Sequence, residues 1–558
     1  MKFDCNCERF LFFILLLSLL SSGCGTKAPR TEARHLPVGL DGRGPYLILH
    51  TERAAAEYGR AIDLAKAMHP GAEAAEFDAE DIASLGSLLE ELRPRYCLIF
   101  IKPDELDVNL AWAWLQAACA VDDDPFVDTR TGFITGENAD AVFRFVKRID
   151  DAVNGRITLP AALIDNLGPN EVMKKDGWSK RRESFMIPAL AGAYPTHTIS
   201  HGLEGFTRER LGEMSGAGIV HFGGHGYPDR IVNCLNGPFV RRMPFSPSVI
   251  FNGACYTGVT GRWFDLSTGG VRQKSVPVAH SFSLGVLANQ AVAYLAALHP
   301  DHGIPVYQEM EFLSYTGSSL GEVMKHTYDG VIIAGGGTLI PLEPLAEGAR
   351  LSWTPAEIML KGTASRVLFG DPALKIMEPV TDPPLEVSLS PEEGRVILTA
   401  KVKNPALKTT FSDTYYSDLS QTGQFNDRLL ISCEWPEDRQ DVGSLAVEHV
   451  TIRGQSLPHR LIGWAFEEDG GRTLLHVQVD VLSTGYLDSP LRTAGAECRI
   501  TVSRAGPAKA PLFSEHLRLE PVVAPFPDVA VSVQGDEMGG SGVKGDDGRD
   551  ALDPHGRF

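Results

Sequence analysis

Short apolar runs alternate with stretches of helical periodicity between about residues 45 and 378, and this alternation limits the fold more than any other feature. Tyr46–His50 (YLILH) and Tyr96–Lys102 (YCLIFIK) are apolar runs, and the segment that starts at Thr51 has helical spacing with Thr51 as its N-cap. Strands that alternate with helices build βαβ units and a parallel sheet. Apolar strands of this kind are covered on both faces. The pattern therefore predicts an α/β fold with a mostly parallel sheet.

The alternation falls into two parts, which we interpret as an N-terminal α/β subdomain at 45–160 and a second subdomain at 161–378. In the first part, it predicts a second helix over Asp78–Leu92 and a short strand followed by a helix within Pro125–Ile149. In the second part, it predicts a helix at Thr207–Met214, strands at Gly218–Phe222, Ser248–Asn252 and Val292–Leu298, and a helix-like stretch before the last of these strands.

The sequence pattern changes after about Pro379, where helical periodicity ends. The runs EVSLS, RVILTAKV, RLLISCEW, TLLHVQVDV and CRITVS are short, rich in β-branched residues and partly alternating. Such runs predict an all-β, immunoglobulin-like sandwich over residues 379–525. Residues 526–558 are rich in Gly and Asp and poor in apolar side chains, which predicts a disordered acidic tail.

The N-terminal segment predicts export. Phe10–Leu20 (FLFFILLLSLL) is too short for a transmembrane helix, which needs about 20 residues, and fits the apolar part of a signal peptide. Ser21-Ser22-Gly23-Cys24 resembles a bacterial lipobox, in which the cysteine receives a diacylglyceryl group. We therefore expect a signal peptide at 1–23, a lipidated Cys24 with a linker at 24–44, and an exported bacterial lipoprotein held at the outer membrane or cell surface by its lipid anchor. An ordinary cleaved signal and a buried apolar segment are the alternatives.

Charge and cysteine content narrow the class of protein further. The chain has 52 Lys and Arg against 71 Asp and Glu, and a net charge of −19 argues against a nucleic-acid partner.

Six of the nine cysteines follow Cys24, too few in this length for a disulfide framework. Cys433 and Cys498 share the β-rich region, so a disulfide between them stays open. Cys97 and Cys119 lie in apolar runs that are typical of buried thiols.

Two apolar runs end in glycine-bearing sequence that carries one reactive side chain each. Gly218–Gly226 (GIVHFGGHG) contains His225, and Ser248–Gly258 (SVIFNGACYTG) contains Cys255. In open α/β sheets, catalytic groups gather beyond the carboxyl ends of the strands, so neighbouring strands would bring both side chains into one crevice. The alternative is that both residues are structural.

A His–Cys pair of this kind suits acyl transfer. The thiolate attacks a carbonyl carbon, and the imidazole carries the proton to the leaving amine. The N–H groups of Gly226 and Cys255 are well placed to bind the tetrahedral oxyanion, an interaction worth about 3–4 kcal/mol.

The motif GHG after one apolar strand and NGACYTG thirty residues later resemble the caspase-fold cysteine peptidases, and among these the gingipain type, over roughly residues 45–378. The resemblance includes the acidic segment Asp124–Asp128, the stretch FSLGVLANQAVAYLAAL, the Gly-Asp-Pro turn in RVLFGDPALKI and the β-sandwich that follows. It implies a caspase-like sheet in two subdomains, His225 as general acid and base, Cys255 as nucleophile, and Gly226 with Cys255 as the oxyanion hole. Asp128 stands where the family has an acidic residue that orients the histidine, with a solvated or capping Asp as the alternative. Gly132-Phe133 departs from the family's Gly-Arg.

Several other polar groups are candidates for binding. The carboxylates of Asp229, Asp265 and Asp301 are candidates for a cationic specificity pocket. Asp122–Asp124 offers oxygen ligands for Ca²⁺, with a solvated loop as the alternative, and the predicted chemistry requires no cofactor. His221 and His225 have the spacing of metal ligands on a helix, but they lie on a glycine-interrupted strand without the glutamate of a zinc peptidase.

These observations predict a cysteine endopeptidase that hydrolyses protein or peptide substrates through a Cys255 thioester. Two alternatives stay open. One is a caspase-fold surface scaffold or binding lipoprotein without activity, in which the sandwich engages the partner. The other is a transpeptidase that passes the acyl group to an amine, which sequence does not distinguish from a hydrolase.

Overall fold

The computed structural model describes residues 35–167, 196–200, 216–231, 235–266, 270–301, 305–335, 337–353, 355–379, 385–403, 410–412, 425–436, 442–452, 454–457, 459–483 and 496–504. The chain divides after His35 into two units, and the second, Leu36–Phe558, contains everything described below. The predicted signal peptide, Cys24, the helix at Thr207–Met214 and the acidic tail lie outside the described residues. Within the described ranges, no helix has the length and apolar character that a membrane span requires.

The α/β part contains the strands β1 (Gly39–Leu40), β2 (Tyr46–His50), β3 (Glu73–Glu76), β4 (Tyr96–Phe100), β5 (Arg130–Ile134), β6 (Leu163–Leu167), β7 (Thr196–Ser200), β8 (Ile219–Phe222), β9 (Gly226–Tyr227), β10 (Arg230–Ile231), β11 (Leu235–Asn236), β12 (Ser248–Asn252), β13 (Arg262–Asp265), β14 (Arg272–Ser275), β15 (Ala291–Ala297), β16 (Arg366–Phe369) and β17 (Leu374–Lys375). Its helices are α1 (Glu52–Met68), α2 (Gly86–Leu92), α3 (Val108–Ala118), α4 (Ala139–Val153), α5 (Gly237–Val240), α6 (Phe282–Ala288), α7 (Pro305–Thr316), α8 (Leu320–Ala334) and α9 (Pro355–Ala364).

Ten of these strands form one sheet in the order β3-β2-β4-β5-β16-β15-β12-β8-β6-β7. The strands from β3 to β16 run parallel to one another, as do those from β15 to β7, and the two blocks are antiparallel where β15 meets β16. The predicted α/β fold with a mostly parallel sheet is therefore confirmed. The sheet continues across residue 160 without a break, because β5 pairs with β16.

The Gly-Asp-Pro turn after β16 lies in close contact with β5. A methyl group on Gly132 in β5 would lie 2.1 Å from the carbonyl oxygen of Gly370, so only glycine fits at this point. The Gly370 N–H donates to the Phe133 carbonyl at 3.1 Å. The residue pair at which the sequence departs from the family's Gly-Arg is thus the place where β5, from the first half of the α/β part, meets β16 from the second half.

Most predicted strands are present within a residue or two, and the Thr51 side chain caps α1 by accepting from the Ala54 N–H at 3.1 Å. The helix predicted over Asp78–Leu92 starts later than expected. A 3₁₀ turn at Ile82–Leu85 precedes α2, because the Asp78 carboxylate accepts from the Glu80 N–H and forms a turn that competes with the helix. The segment predicted as a linker includes β1, which pairs with β17.

The C-terminal part contains the strands β18 (Leu385–Glu392), β19 (Arg395–Val402), β20 (Thr410–Ser412), β21 (Phe425–Glu434), β22 (Val442–Ile452), β23 (Gln455–Leu457), β24 (His459–Asp469), β25 (Arg472–Ser483) and β26 (Ala496–Arg504). They form two antiparallel sheets, β18-β19-β26-β22-β23 and β20-β21-β25-β24. Residues of both sheets share one apolar cluster, with Leu398 and Ile500 from the first and Ile431 and Val477 from the second. The separate β part predicted from sequence is therefore present.

The cysteines of the β part are not paired with each other. Cys433 lies in β21 and Cys498 in β26, on different sheets, and both thiols are free. The disulfide that the sequence left open is thus not formed. Cys97 and Cys119 are buried and free, as their apolar runs indicate.

A buried cluster of charges joins α8 to the edge of the β part. Lys325 in α8 pairs with Asp329 one turn later and with Glu467 of β24, the second contact measuring 2.6 Å. Glu467 also contacts the His476 imidazole of β25 at 2.7 Å. Burial of these groups is tolerated because each charge faces an opposite one. The cluster, not an apolar patch alone, holds the β part on the α/β part.

The acidic segment Asp122–Asp124, considered for Ca²⁺ binding with a solvated loop as the alternative, contributes to the same junction between the two parts. Asp124 accepts hydrogen bonds from the Phe126 N–H at 2.9 Å and from the Glu468 N–H of β24 at 2.7 Å. Both carboxylate oxygens of Asp124 are therefore occupied by backbone donors. The described residues contain no group of three His, Cys, Asp or Glu side chains that could hold a metal ion.

Replacing Lys325 with Met is expected to lower the free energy of unfolding by about 3–5 kcal/mol, because two buried carboxylates lose their cation. Urea denaturation measures the change. Lys147→Met is the matched control, because Lys147 in α4 pairs with Asp150 and Asp151 while 39% of its side chain stays exposed. That variant should lose less than about 1 kcal/mol. Equal losses in the two variants would contradict the role of the buried cluster.

Candidate active site

Strands β8 and β12 lie side by side, and each leads to one of the two candidate catalytic residues. The strands pair in parallel, with Phe222 opposite Asn252 at their carboxyl ends. His225 and Cys255 each follow three residues later. The two side chains therefore leave the sheet at the same edge, as the sequence-based interpretation requires.

The backbone of Gly226 lies against that of Cys255. A methyl group on Gly226 would come within 2.3 Å of the Cys255 carbonyl oxygen and within 2.8 Å of Ala254 Cβ and Thr257 Cγ2. Real Cβ atoms do not approach other atoms this closely, so the contact requires glycine. The structure thus brings the His225-Gly226 segment to the candidate nucleophile, and the His225 side chain is exposed to solvent.

Two buried polar side chains hold the turn that carries Cys255. Asn252 accepts from the Ala254 N–H at 2.8 Å through Oδ1 and donates to the Tyr294 hydroxyl at 2.9 Å through Nδ2. Tyr294, in β15, donates its own proton to the Thr257 carbonyl at 2.8 Å. One phenol therefore joins the chain before Cys255 to the chain after it.

The residue after the nucleophile has a strained backbone. Tyr256 has a φ of 59°, which is unfavourable for a residue with a Cβ. Its buried ring packs edge-on against Trp263 at 4.9 Å and joins Val259 and Val276 in a small apolar cluster, which offsets the strain. In this turn, the Cys255 N–H donates to no backbone carbonyl of the described residues, and it interacts with the Cys255 sulfur itself.

A buried guanidinium lies beneath the same turn. Arg366, at the start of β16, is fully buried and pairs with the carboxylates of Asp301 and Glu309, and its Nη2 atom lies 2.7 Å from Glu309 Oε2. It also donates to the Asn252 carbonyl at 3.0 Å. The cation thereby ties the end of β12 to α7 and to the segment after β15.

The Cys255 thiol is protonated in this arrangement. Its Sγ donates to the Asp301 carbonyl oxygen at 3.0 Å. Burial, followed by the charge of the Asp301 carboxylate, raises the pKa of Cys255 to about 12. Because the thiolate is the nucleophile, the thiol has to leave this carbonyl and pass its proton to a base before it reacts. His225, on the segment that touches Cys255, is the candidate base.

Asp128 lies at the amino end of β5 among other charged groups. Its Oδ2 atom is buried and has no hydrogen-bond partner among the described residues. Burial, with the charges of Asp122 and Asp124, raises the pKa of Asp128 to about 8, and Lys325 and Arg130 oppose that rise. The described contacts include no hydrogen bond or ion pair between Asp128 and the predicted catalytic histidine. Its orienting role stays a prediction.

The three carboxylates considered for a cationic pocket all have cationic partners. Asp301 is bound to the buried Arg366 and has no face open to a substrate. Asp265 pairs with Lys274, and Asp229 pairs with Arg230 at 3.4 Å.

Sequence reasoning missed Arg366 and Tyr294 as supports of the site. The available signal was a charged residue that opens the apolar run RVLF and a phenol inside the apolar run AVAYLAAL. Polar groups in buried strands require hydrogen-bond or ion-pair partners, so the arginine and the tyrosine each indicate a contact with a polar group elsewhere in the fold. The partners themselves, Asn252 and Asp301, could not be read from the chain because they are distant in sequence.

The fold is similar to those of two solved structures. One is described as "Structure of Protease", with a TM-score of 0.43, 10% identity and coverage of 69% of this chain and 94% of that chain. The other is the complex of pro- and mature domains of RgpB from Porphyromonas gingivalis, with a TM-score of 0.40, 10% identity and coverage of 69% and 96%. No family model and no curated protein matches the sequence. Similarity at this level carries no conclusion about activity.

Replacing Tyr294 with Phe is expected to lower the free energy of unfolding by about 1–3 kcal/mol, because Asn252 and the Thr257 carbonyl lose a buried partner. Tyr58→Phe is the matched control, since Tyr58 is equally buried and donates to a backbone carbonyl at 3.1 Å. Urea denaturation should show similar losses. Only Tyr294→Phe should change the rate at which iodoacetamide alkylates Cys255 relative to the wild type. Equal alkylation rates in Tyr294→Phe and the wild type would contradict this role of the phenol.

The raised pKa predicts slow alkylation of Cys255 at neutral pH. A pKa of about 12 in place of 9.0 lowers the thiolate fraction at pH 7 by about 1,000-fold. The rate with iodoacetamide should therefore rise about tenfold per pH unit between pH 7 and pH 10, because the folded pKa lies above this range. Mass spectrometry of the Cys255 peptide gives the profile. A plateau below pH 9 would show that the thiol is already activated.

Proposed function

We propose that this protein is a cysteine peptidase in which Cys255 is the nucleophile and His225 the general acid and base. The contact of Gly226 with Cys255, beyond the carboxyl ends of β8 and β12, carries the proposal. Proton transfer needs the Cys255 thiol and the His225 imidazole within hydrogen-bond reach of each other. The contact supports a shared site because it brings together the backbone segments that carry these two side chains. The sequence resemblance and the order of a mixed sheet followed by a β-sandwich support the finer assignment to a caspase-like, gingipain-type endopeptidase.

The reaction begins when the Cys255 thiol leaves the Asp301 carbonyl and gives its proton to His225. The thiolate sulfur then bonds to the scissile carbonyl carbon, and the carbonyl π electrons move to oxygen. The Cys255 N–H, together with the Gly226 N–H, donates to this oxyanion. His225 returns the proton to the leaving amine as the C–N bond breaks, which leaves a thioester on Cys255.

Water completes the cycle at the thioester. His225 removes a proton from the water as its oxygen bonds to the acyl carbon. The C–S bond then breaks as His225 returns that proton to the sulfur, which releases the acid and restores the Cys255 thiol. An amine in place of water would give transpeptidation by the same steps. None of these steps requires a metal or an organic cofactor.

The proposed setting of this activity is the bacterial cell envelope. The signal-like segment and the lipobox-like cysteine support an exported lipoprotein that acts on protein or peptide substrates near the membrane. The net charge of −19 supports a partner other than nucleic acid.

One observation favours the alternative of a silent scaffold. The thiol is bonded to the Asp301 carbonyl and its pKa is raised, so the arrangement holds the unreactive form. In a scaffold, this hydrogen bond would be permanent. In a peptidase, substrate binding has to release it.

A mixed library of peptide acyloxymethyl ketones distinguishes the two functions. On the purified chain, we expect one adduct on Cys255 by intact mass, and none in Cys255→Ala. His225→Ala should slow labelling about 100-fold or more, because the proton acceptor is lost. His449→Ala is the control, since the His449 side chain is partly exposed in β22 of the β part, and it should label at the wild-type rate.

Two results would overturn the peptidase function. Equal labelling rates in the wild type and in His225→Ala would remove the general base. The absence of any Cys255 adduct, while the protein binds a surface partner through its β part, would establish the scaffold.

A further inference from the structure

The surroundings of Cys255 are apolar. Tyr256, Val259 and Val276 form a cluster of their own, separate from the main core, and Trp263 packs on it together with Cys255. A substrate that presents its carbonyl to the sulfur has to place its neighbouring side chain beside this cluster. Apolar linings of this kind are the usual walls of a side-chain pocket.

The apolar surface extends outward from the cluster. Tyr227 and Val278 are the large hydrophobic side chains that stay exposed among the described residues, at 45% and 40%. Tyr227 follows Gly226, whose backbone lies against that of Cys255, and Val278 lies two residues after Val276 of the cluster. A backbone hydrogen bond of 2.9 Å from Phe282 to Pro228 joins the two segments. Both exposed side chains therefore border the same site.

The charges around this surface are arranged against a cationic ligand. The Arg230 guanidinium lies 5.2 Å from the centre of the Tyr227 ring, and the Lys274 ammonium lies 5.5 Å from that of Trp263. The nearby carboxylates already pair with cations: Asp229 with Arg230, Asp265 with Lys274 and Asp301 with Arg366. A substrate Lys or Arg would meet two like charges without a free carboxylate to bind.

We propose that the pocket beside Cys255 accepts an aromatic or aliphatic substrate side chain and rejects a basic one. The inference rests on the proposed peptidase function and names its substrate class. Aromatic side chains gain most from such a site, because they bury a large apolar area and stack against other rings.

Three acyloxymethyl ketone probes that differ only in the side chain next to the ketone test the preference. We expect the Phe and Leu probes to label Cys255 about tenfold or more faster than the Arg probe. Tyr227→Ser should narrow this ratio, because it removes exposed apolar surface. Arg230→Gln should raise the rate of the Arg probe. Arg144→Gln, which removes an exposed cation in α4, is the control and should leave the ratio unchanged.

The outcomes separate this preference from the peptidase function. If the Arg probe labels Cys255 faster than the other probes and Asp229→Asn abolishes that advantage, the apolar preference is overturned and the pocket is assigned to Asp229. The peptidase function stays intact in that case. Equal rates for all three probes overturn the preference alone. If no probe labels Cys255, the function fails and the preference fails with it.

Discussion

The buried Arg366 guanidinium is the interaction on which the candidate site depends. A charge without exposure is tolerated only when its donors are satisfied, and here two carboxylates and the Asn252 carbonyl satisfy it. Asp301 supplies one of those carboxylates, and its backbone carbonyl accepts the Cys255 thiol. The cation therefore positions both the strand that leads to the nucleophile and the group that holds the thiol at rest.

A second network of buried charges joins the α/β part to the β part. Lys325 sits between Asp329 of its own helix and Glu467 of β24, and Arg130 bridges Glu322 and Asp469 beside it. A buried charge that loses its partner is costly, so movements that separate these pairs are disfavoured. The two networks therefore help to hold β16 beside α7 and the β part against α8.

The site combines a tight scaffold with a thiol in its unreactive form. Glycine at 226 permits the close approach of the histidine segment, and Tyr256 keeps its left-handed backbone because its ring is buried. The same burial disfavours the thiolate, which raises the pKa of Cys255. The packing that positions Cys255 therefore also holds its thiol in the protonated form.

Sequence by itself determined the alternation of strands and helices, the change to a β-only region and the placement of His225 and Cys255 at strand ends, because periodicity and glycine punctuation are local properties. Tertiary structure decided which strands are neighbours, the reversal of direction between β15 and β16, the free thiols of Cys433 and Cys498, and the location of Asp128 among acidic groups. It also decided the roles of Arg366 and Tyr294. These features depend on which side chains meet across 40 to more than 100 residues of chain, such as Tyr294 with Asn252 and Arg366 with the Asn252 carbonyl, and chain order does not encode such contacts.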